Sequence, residues 1–301
     1  CLSGTPTPVY LNLVPQLTPP VKHKKVYPTK IRKIENGFFL DFGKEYVGSV
    51  ALVVKGNKGD VVEIRCGEEL NDDGSVRFDM RCNCNYREFV TLTGKEDFIE
   101  FFDFKGYRYV EILGISSLEK ENVWTFHRSY PFPETPAVFE SSDDMMNKIW
   151  EICHHGVEIG TQDTYYDCPT REKGGFLGDA LITGASHYLL TGDIRVYKKF
   201  INDLADSARH FCALMCHVPT RAVGMVADFS FIYPLFLEEF YSYTGDLDFI
   251  KEKLYVADGI FEYYSRFENE DCLLDNIKYV EHIPCENYDA ILIDWPGNKR
   301  D

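Results

Sequence analysis

The hydrophobic period of this chain changes once along its length, and that change constrains the fold more than any other feature. From about Ile31 to Arg128 apolar and polar residues alternate, as is typical of strands with one buried face. Turn clusters at 55–59 and 71–74 separate the runs. Two runs show the alternation: Val62, Ile64 and Cys66, and Arg108, Val110 and Ile112. Short strands joined by such turns predict an antiparallel β-sandwich over 31–130.

The period becomes helical after three prolines that mark a domain boundary, Pro131, Pro133 and Pro136. Ser141 and Asp144 resemble a capping box, which predicts a helix start there. Apolar residues then recur at helical spacing: Met146, Ile149, Trp150, Cys153 and Val157. We interpret this stripe as part of a buried core.

An internal repeat follows farther along the chain. Thr191-Gly192-Asp193 and Thr244-Gly245-Asp246 each stand between two stretches of helical periodicity. Glycine favours the left-handed conformation that ends a helix, and aspartate is a preferred residue at the start of the next. The repeat therefore predicts successive αα-hairpins.

A polar loop at 163–179 lies between two of the helical stretches. Pro169 and several glycines forbid a continuous helix there, so the carboxylates of Asp167, Glu172 and Asp179 can converge on one concavity. Converging carboxylates with aromatic neighbours suit sugar chemistry, because one can stay protonated as a general acid while others bind hydroxyls. The alternative is a helix-capping loop with solvated acids, above all for Asp179.

The loop sequences Asp-Cys-Pro-Thr-Arg-Glu and Gly-Phe-Leu-Gly-Asp resemble the signature D-C-P-x-R-E-x-x-G-W-x-G-D of bacterial α-L-rhamnosidases, glycoside hydrolase family 78. The resemblance implies that Glu172 is the general acid and that Asp167 and Asp179 contact rhamnose hydroxyls. It also assigns Arg171 to the substrate site. Phe176 stands where the family usually has tryptophan, which keeps an aromatic face but loses the indole N–H.

The resemblance extends over most of the chain. Segments 41–48, 68–70 and 104–111 are similar to the sandwich domain that precedes the catalytic barrel in the family, and Asp228 and Trp295 lie in segments similar to those that border the sugar pocket. It implies a β-sandwich followed by the first half of an (α/α)6 toroid at 137–301. It further implies cofactor-free, inverting hydrolysis of terminal α-L-rhamnosyl residues, with the general base in a later part of the barrel.

Composition limits the partners. The formal net charge of -16 disfavours nucleic acid and anionic membrane surfaces, whereas a rhamnose-containing carbohydrate is compatible. No apolar run approaches the ~20 residues that cross a bilayer. An incomplete toroid would leave apolar helix faces exposed, so we expect self-association and no hydrolysis by these residues alone.

The 10 cysteines are scattered without a disulfide framework, so we expect mostly free thiols and a cytoplasmic location, with a periplasmic or secreted one as the alternative. The pairs Cys82 with Cys84 and Cys212 with Cys216 lack the four close ligands of a zinc site, so we expect no metal.

Residues 1–30 are rich in proline and carry a basic patch at 22–25, which predicts an extended tail or linker. Two functional alternatives stay open. The β-sandwich could bind carbohydrate instead of serving as packing, and the whole chain could be a non-catalytic sugar-binding protein or an inactive remnant.

Overall fold

The structure is a computed structural model that describes residues 15–80, 84–133, 137–208, 217–218 and 227–275. An antiparallel β domain comes first and a helical region follows it. The strands of this domain are β1 Lys22–Val26, β2 Lys30–Ile34, β3 Gly37–Lys55, β4 Val61–Gly67, β5 Arg87–Thr91, β6 Glu96–Glu100, β7 Lys105–Leu113 and β8 Val123–Ser129. They form one eight-stranded sheet in the order β1-β8-β3-β7-β4-β5, with β2 and β6 also paired to β3.

The 19-residue strand β3 organises this domain. Its first part pairs with β2 and β7, and its second part pairs with β8 and β6. The register of β3 against β7 shifts between Asp41 and Tyr46, where the extra residues form a bulge. Because the bulge increases the bend of the strand, one long β3 can contribute to both halves of the curved sheet.

The predicted alternation is confirmed on β4, where Val62, Ile64 and Cys66 are buried. It fails on β7, since Tyr107 and Glu111 are buried together with Val110 and Ile112. Strand β7 lies between β3 and β4 and is covered on both faces, so its polar positions cannot all face water. Glu111 keeps a partner in Arg65 Nη1 at 3.4 Å.

The predicted amino-terminal linker contains a strand. Residues 22–26 form β1, which pairs with β8 from Lys22 opposite Ser129 to Val26 opposite Thr125. Lysine side chains on the edge strand of a sheet disfavour pairing with a strand of another molecule, so the basic patch suits this position. The expectation of an extended tail is therefore wrong for these residues.

The helical region consists of helices of 4 to 18 residues that pack around an aromatic core. Its elements are α1 Asp144–Gly160, β9 Gly175–Phe176, α2 Leu177–Thr191, α3 Arg195–Ser207, β10 His217–Val218, α4 Ala227–Ser230, α5 Tyr233–Thr244 and α6 Leu247–Tyr264. The core includes Tyr165, Leu177, Tyr197, Phe200, Phe236 and Phe240. None of the helices in the described ranges combines the length and apolar character needed to span a membrane.

Both glycines of the internal repeat end their helices as predicted. Gly192 has φ 69° and Gly245 has φ 67°, the left-handed region that glycine adopts at little cost. Asp246 then caps α6, because its carboxylate accepts from Phe249 N at 3.0 Å. Asp193 differs from the prediction: helix α3 starts after Ile194, and the Asp193 carboxylate binds Arg195 N at 2.9 Å and Tyr130 Oη at 2.8 Å.

Two predictions about α1 are wrong. Its cap is Asp143, whose Oδ1 accepts from Met145 N at 2.8 Å, and not a Ser141–Asp144 box. The apolar stripe is also largely exposed, including Met146, Ile149 and Cys153. No element in the described part of the chain covers that face, so helical spacing identified the stripe correctly but not its burial.

Candidate active site

The polar loop at 163–179, here named the motif loop, leads from α1 into the first turn of α2 and is closed by its own hydrogen bonds. Asp167 N donates to Gly174 O at 2.8 Å, and Gly174 N donates to Asp167 Oδ1 at 2.9 Å. Lys173 N donates to Cys168 O at 3.2 Å inside this ring. The bonds satisfy backbone groups that Pro169 prevents from joining a helix, so Glu172 is presented from a compact turn.

Glu172 lies beside a second carboxylate. Ligand atoms of Asp167, Cys168 and Glu172 all lie within 4.8 Å of one another, and Arg171 Nη2 is 3.4 Å from Glu172 Oε1. Partial burial raises the pKa of Glu172, and the negative charges of Asp167 and Asp179 raise it further, whereas Arg171 opposes them. This direction is the one that a general acid requires, because the group must keep its proton at working pH.

Asp179 and Phe176 stand at the start of α2. Phe176 precedes the first helical residue and pairs through its backbone with His217, and Asp179 lies in the first turn. The ring of Phe229 packs against Gly178, at 3.0 Å from the position of an added Cβ. The short helix α4, which carries Asp228, is therefore next to the start of α2. The fold therefore places the elements that carry Phe176, Asp179 and Asp228 next to one another.

The β domain holds the middle of the motif loop. Tyr86 Oη donates to Thr170 O, and Lys173 Nζ donates to Asp103 Oδ1 at 3.0 Å and to Phe104 O. A Cβ on Gly106 would lie 2.9 Å from Thr170 Cγ2 and 3.1 Å from Pro169 Cγ, so the glycine lets these loop side chains pack closely on β7. The residues on both sides of Arg171-Glu172 are thus anchored to the sheet.

Arg171 faces a cleft of about 150 Å³ whose other walls come from the β domain: Glu68, Glu69, Arg77 and Met80. Burial raises the pKa of Glu68, and the positive charge of Arg171 counteracts this. Behind them Glu45 Oε1 is buried without a hydrogen-bond partner among the described residues. Burial and the neighbouring Glu68 raise the pKa of Glu45 to about 7.

Asp167, Cys168 and Glu172 are also the one group of at least three His, Cys, Asp or Glu ligand atoms with metal-like spacing in the described part of the chain. This group contains no histidine, and the raised pKa of Glu172 favours a protonated carboxyl, which suits proton transfer better than metal binding.

The free thiols among the described residues are Cys66, Cys84, Cys153, Cys168 and Cys272. Burial raises the pKa of Cys66 to about 12, so this thiol is unreactive. Cys82, Cys212 and Cys216 lie outside the described residues.

The structure brings together Asp167, Arg171 and Glu172 and places Phe176, Asp179 and Asp228 on adjoining elements. Trp295 lies outside the described residues. Five further residues of this region were not predicted from the sequence: Lys173, Tyr86, Asp103, Glu45 and Glu68. No local signal could have identified Tyr86 and Asp103, because their contacts with Thr170 and Lys173 join residues 84 and 70 positions apart in the chain.

Comparisons with known proteins agree with this architecture. The six-hairpin glycosidase domain of bacterial α-L-rhamnosidases matches residues 134–289, and their concanavalin-like domain matches 31–128. An α-L-rhamnosidase of Streptomyces avermitilis is 30% identical over 216 residues, which cover 68% of this chain and 20% of the relative. The chain thus spans about a fifth of the length of the curated relatives it matches.

Two solved structures show the same arrangement. The Streptomyces avermitilis α-L-rhamnosidase complexed with L-rhamnose superimposes with a TM-score of 0.73 at 26% identity, over 85% of this chain and 26% of the other. The family 78 rhamnosidase of Bacillus sp. GL1 gives a TM-score of 0.73 at 18% identity, over 81% and 26%, and this second likeness concerns the fold alone. Since one family model covers more than half of its length, the chain belongs to the bacterial α-L-rhamnosidases of glycoside hydrolase family 78.

Proposed function

We propose that this chain provides the general-acid part of an inverting α-L-rhamnosidase that releases terminal α-L-rhamnosyl residues. The observation that carries the proposal is the Glu172 carboxyl, held beside Asp167 with its pKa raised by burial and by two neighbouring carboxylates. A protonated carboxyl in that position can donate a proton to the departing glycosidic oxygen. Family membership supplies the substrate class, and the Streptomyces relative was solved with L-rhamnose bound.

In this proposal Asp167 and Asp179 bind sugar hydroxyls, and Arg171, Phe176, Asp228 and Trp295 complete the sugar pocket. The architecture is a β-sandwich followed by the first half of an (α/α)6 toroid. The concavity that holds Glu172 would then lie in the loops at one end of the toroid. Catalysis needs no cofactor, and we propose a cytoplasmic location.

The general base must be a carboxylate other than Asp167. An inverting pair is separated by about 6.5–9.5 Å to leave room for a water molecule, whereas the Asp167 and Glu172 oxygens lie within 4.8 Å. Asp167 is also engaged by Gly174 N at 2.9 Å. Its role is therefore to hold the sugar and to keep Glu172 protonated, and the base comes from another part of the barrel.

The first test is binding of L-rhamnose to the 301-residue chain, followed by ligand-observed NMR or calorimetry. We expect weak, saturable binding that Asp167→Asn and Asp179→Asn reduce and Glu172→Gln leaves largely intact. L-Mannose, which carries a 6-hydroxyl where rhamnose has a methyl group, is the matched control ligand. Binding that neither aspartate variant reduces would contradict this site, and equal binding of both sugars would show that the site does not distinguish a methyl group from a hydroxymethyl group at C5.

The second test concerns the stereochemistry and needs a preparation that turns over nitrophenyl α-L-rhamnoside. Inversion requires β-L-rhamnose as the first product, which proton NMR detects before mutarotation. If the α-anomer forms first, the close pair Asp167 and Glu172 would instead be candidates for a retaining mechanism, in which carboxyl groups lie about 5–5.5 Å apart. Saturable rhamnose binding without turnover by any preparation would favour the non-catalytic sugar-binding alternative.

A further inference from the structure

A cleft between the β domain and the helical region is built from residues other than the motif loop. Its floor is one face of β1, β8 and the bulged part of β3, and its wall is the last part of α1 with the segment 130–132. Its volume is about 420 Å³, a size that accommodates a sugar ring. The lining residues are Lys22, Lys24, Val26, Lys44, Tyr46, His127, Ser129, Tyr130, Pro131, Phe132 and Glu158.

The charge of the cleft is opposite to that of the protein. Three lysines, Lys22, Lys24 and Lys44, line it against one glutamate, Glu158, although the whole chain has a formal net charge of -16. Lys22 and Lys24 are opposite Ser129 and His127 across the β1–β8 pair, so both side chains lie on the cleft face. In the described ranges neither lysine has a carboxylate within salt-bridge distance. A cleft of this kind attracts an anion.

His127 supplies a second, independent feature. Its side chain is buried, with 7% exposed, and its Nδ1 binds Val47 O at 3.0 Å. Because a carbonyl only accepts, Nδ1 carries the hydrogen, and burial lowers the pKa of His127 so that the ring stays neutral. The other nitrogen, Nε2, has no hydrogen-bond partner among the described residues and lies 4.0 Å from Glu158 Oε1. This nitrogen is therefore a buried hydrogen-bond acceptor without a donor, and a hydroxyl group of a ligand would supply one.

Glu158 provides further acceptor capacity at the same wall. His155 Nδ1 lies 3.1 Å from its Oε2, and this contact lowers the pKa of Glu158, so the group is an anion. Lys44 Nζ is 3.2 Å from His155 Nδ1, a position that disfavours a metal ion between the two histidines. Acceptors for hydroxyls thus lie next to ammonium groups for a carboxylate, with Tyr46 and Phe132 as aromatic walls. Aromatic faces pack against the apolar side of a pyranose.

We propose that this cleft is a second carbohydrate-binding site and that it takes a sugar residue bearing a carboxylate group. The lysines bind the carboxylate, and His127 Nε2 and Glu158 accept hydrogen bonds from ring hydroxyls. An inorganic anion would satisfy the lysines but would leave the His127 and Glu158 acceptors facing each other. The site does not depend on the proposed hydrolysis, because none of its residues belongs to the motif loop.

The test is titration of the 301-residue chain with sodium D-glucuronate at low ionic strength, followed by calorimetry and saturation-transfer NMR. D-Glucose is the neutral control, and sodium phosphate is the inorganic control. We expect saturable binding of glucuronate that weakens as salt is added, with little binding of glucose and weaker binding of phosphate. The double variant Lys22→Met/Lys24→Met should bind glucuronate at least about tenfold more weakly, since each lysine forms a charge-assisted contact.

Lys25→Met is the matched control, because Lys25 is on the same strand but points to the other face, 3.9 Å above the Trp124 ring. It should leave glucuronate binding unchanged, and thermal unfolding of each variant verifies that it is folded. His127→Gln replaces the ring by an amide. It should weaken the binding of glucuronate more than the binding of phosphate. No binding of glucuronate by the native chain, equal binding of glucose, or phosphate binding as tight as that of glucuronate would overturn the proposal.

Discussion

Lys173 of the motif loop donates from Nζ to Asp103 of the β domain at 3.0 Å, and its own backbone is left-handed, with φ 53°. A lysine in that region costs about 1–2 kcal/mol relative to the right-handed conformation. The contacts of its side chain with Asp103, with Phe104 O and with the Phe104 ring at 4.5 Å offset this cost. The residue directly after Glu172 is therefore held by the sheet.

Removing this anchor should loosen the motif loop without unfolding the protein. In Lys173→Met we expect faster hydrogen exchange at the amides of 167–174 and several-fold weaker binding of L-rhamnose. Lys173→Gly loses the same contacts but relieves the left-handed backbone, so it should be more stable than Lys173→Met by about 1 kcal/mol. Lys95→Met, on an exposed turn, is the control. Unchanged exchange in Lys173→Met would show that the turn holds itself through the Asp167–Gly174 bonds.

The role of Glu172 can be separated from that of its neighbours by the leaving group. In a preparation with measurable turnover, Glu172→Gln should lower kcat/KM for a rhamnosyl disaccharide by at least ~100-fold. The loss for a nitrophenyl rhamnoside should be far smaller, because nitrophenolate leaves without a proton. Asp167→Asn should lower kcat/KM for both substrates alike, and its amide oxygen can still accept from Gly174 N. The measurement is kcat/KM for both substrates. Equal losses in Glu172→Gln, with a selective loss in an aspartate variant, would move the acid role to that aspartate.

The Glu45 carboxyl predicts a pH dependence of stability. Its pKa is about 7 in the folded protein against an ordinary value of 4.5, so between these values the folded state retains a proton that the unfolded state has lost. The stability that this group contributes is complete below about pH 4.5 and is lost as the pH rises through 7. Glu45→Gln should therefore stabilise the protein above pH 7, by on the order of 1–3 kcal/mol, and have little effect below pH 4.5.

Chemical denaturation at several pH values measures this effect. Glu69→Gln, an exposed neighbour on the rim of the same cleft, is the control and should change stability little at any pH. A stability difference between Glu45→Gln and the native chain that stays constant across the pH range would show that Glu45 does not change its protonation there.

The exposed face of α1 should promote self-association. Ile149 and Ile152 are 46% and 73% exposed, and Ile182 and Leu189 of α2 are exposed as well. Exposed apolar side chains of this kind favour association in water. Ile149→Lys should shift the chain toward monomer in sedimentation velocity. Glu151→Lys, also exposed on α1, makes a larger charge change without removing apolar surface. A native chain that is monomeric at high concentration would contradict the prediction.

Several parts of this protein followed from sequence alone, for local reasons. Alternating residues identified β4, and the glycines at 192 and 245 identified two helix ends, because left-handed backbone strongly favours glycine. The crowding of Asp167, Glu172 and Asp179 around Pro169 predicted the loop as a candidate site. These features depend on residues that are near one another in the chain, so they can be predicted from the sequence alone.

What the order of residues could not decide is which surfaces meet. The apolar stripe of α1 has core-like spacing, yet no described element covers it, and the basic segment 22–26 pairs with β8 instead of remaining an extended tail. Glu45 and Glu68 come to lie behind Arg171, and Asp103 binds Lys173, only because the sheet packs on the loop. The sequence determined which groups could perform chemistry. The packing of the β domain on the motif loop decided their protonation and their orientation, because burial and neighbouring charges depend on contacts between residues far apart in the chain.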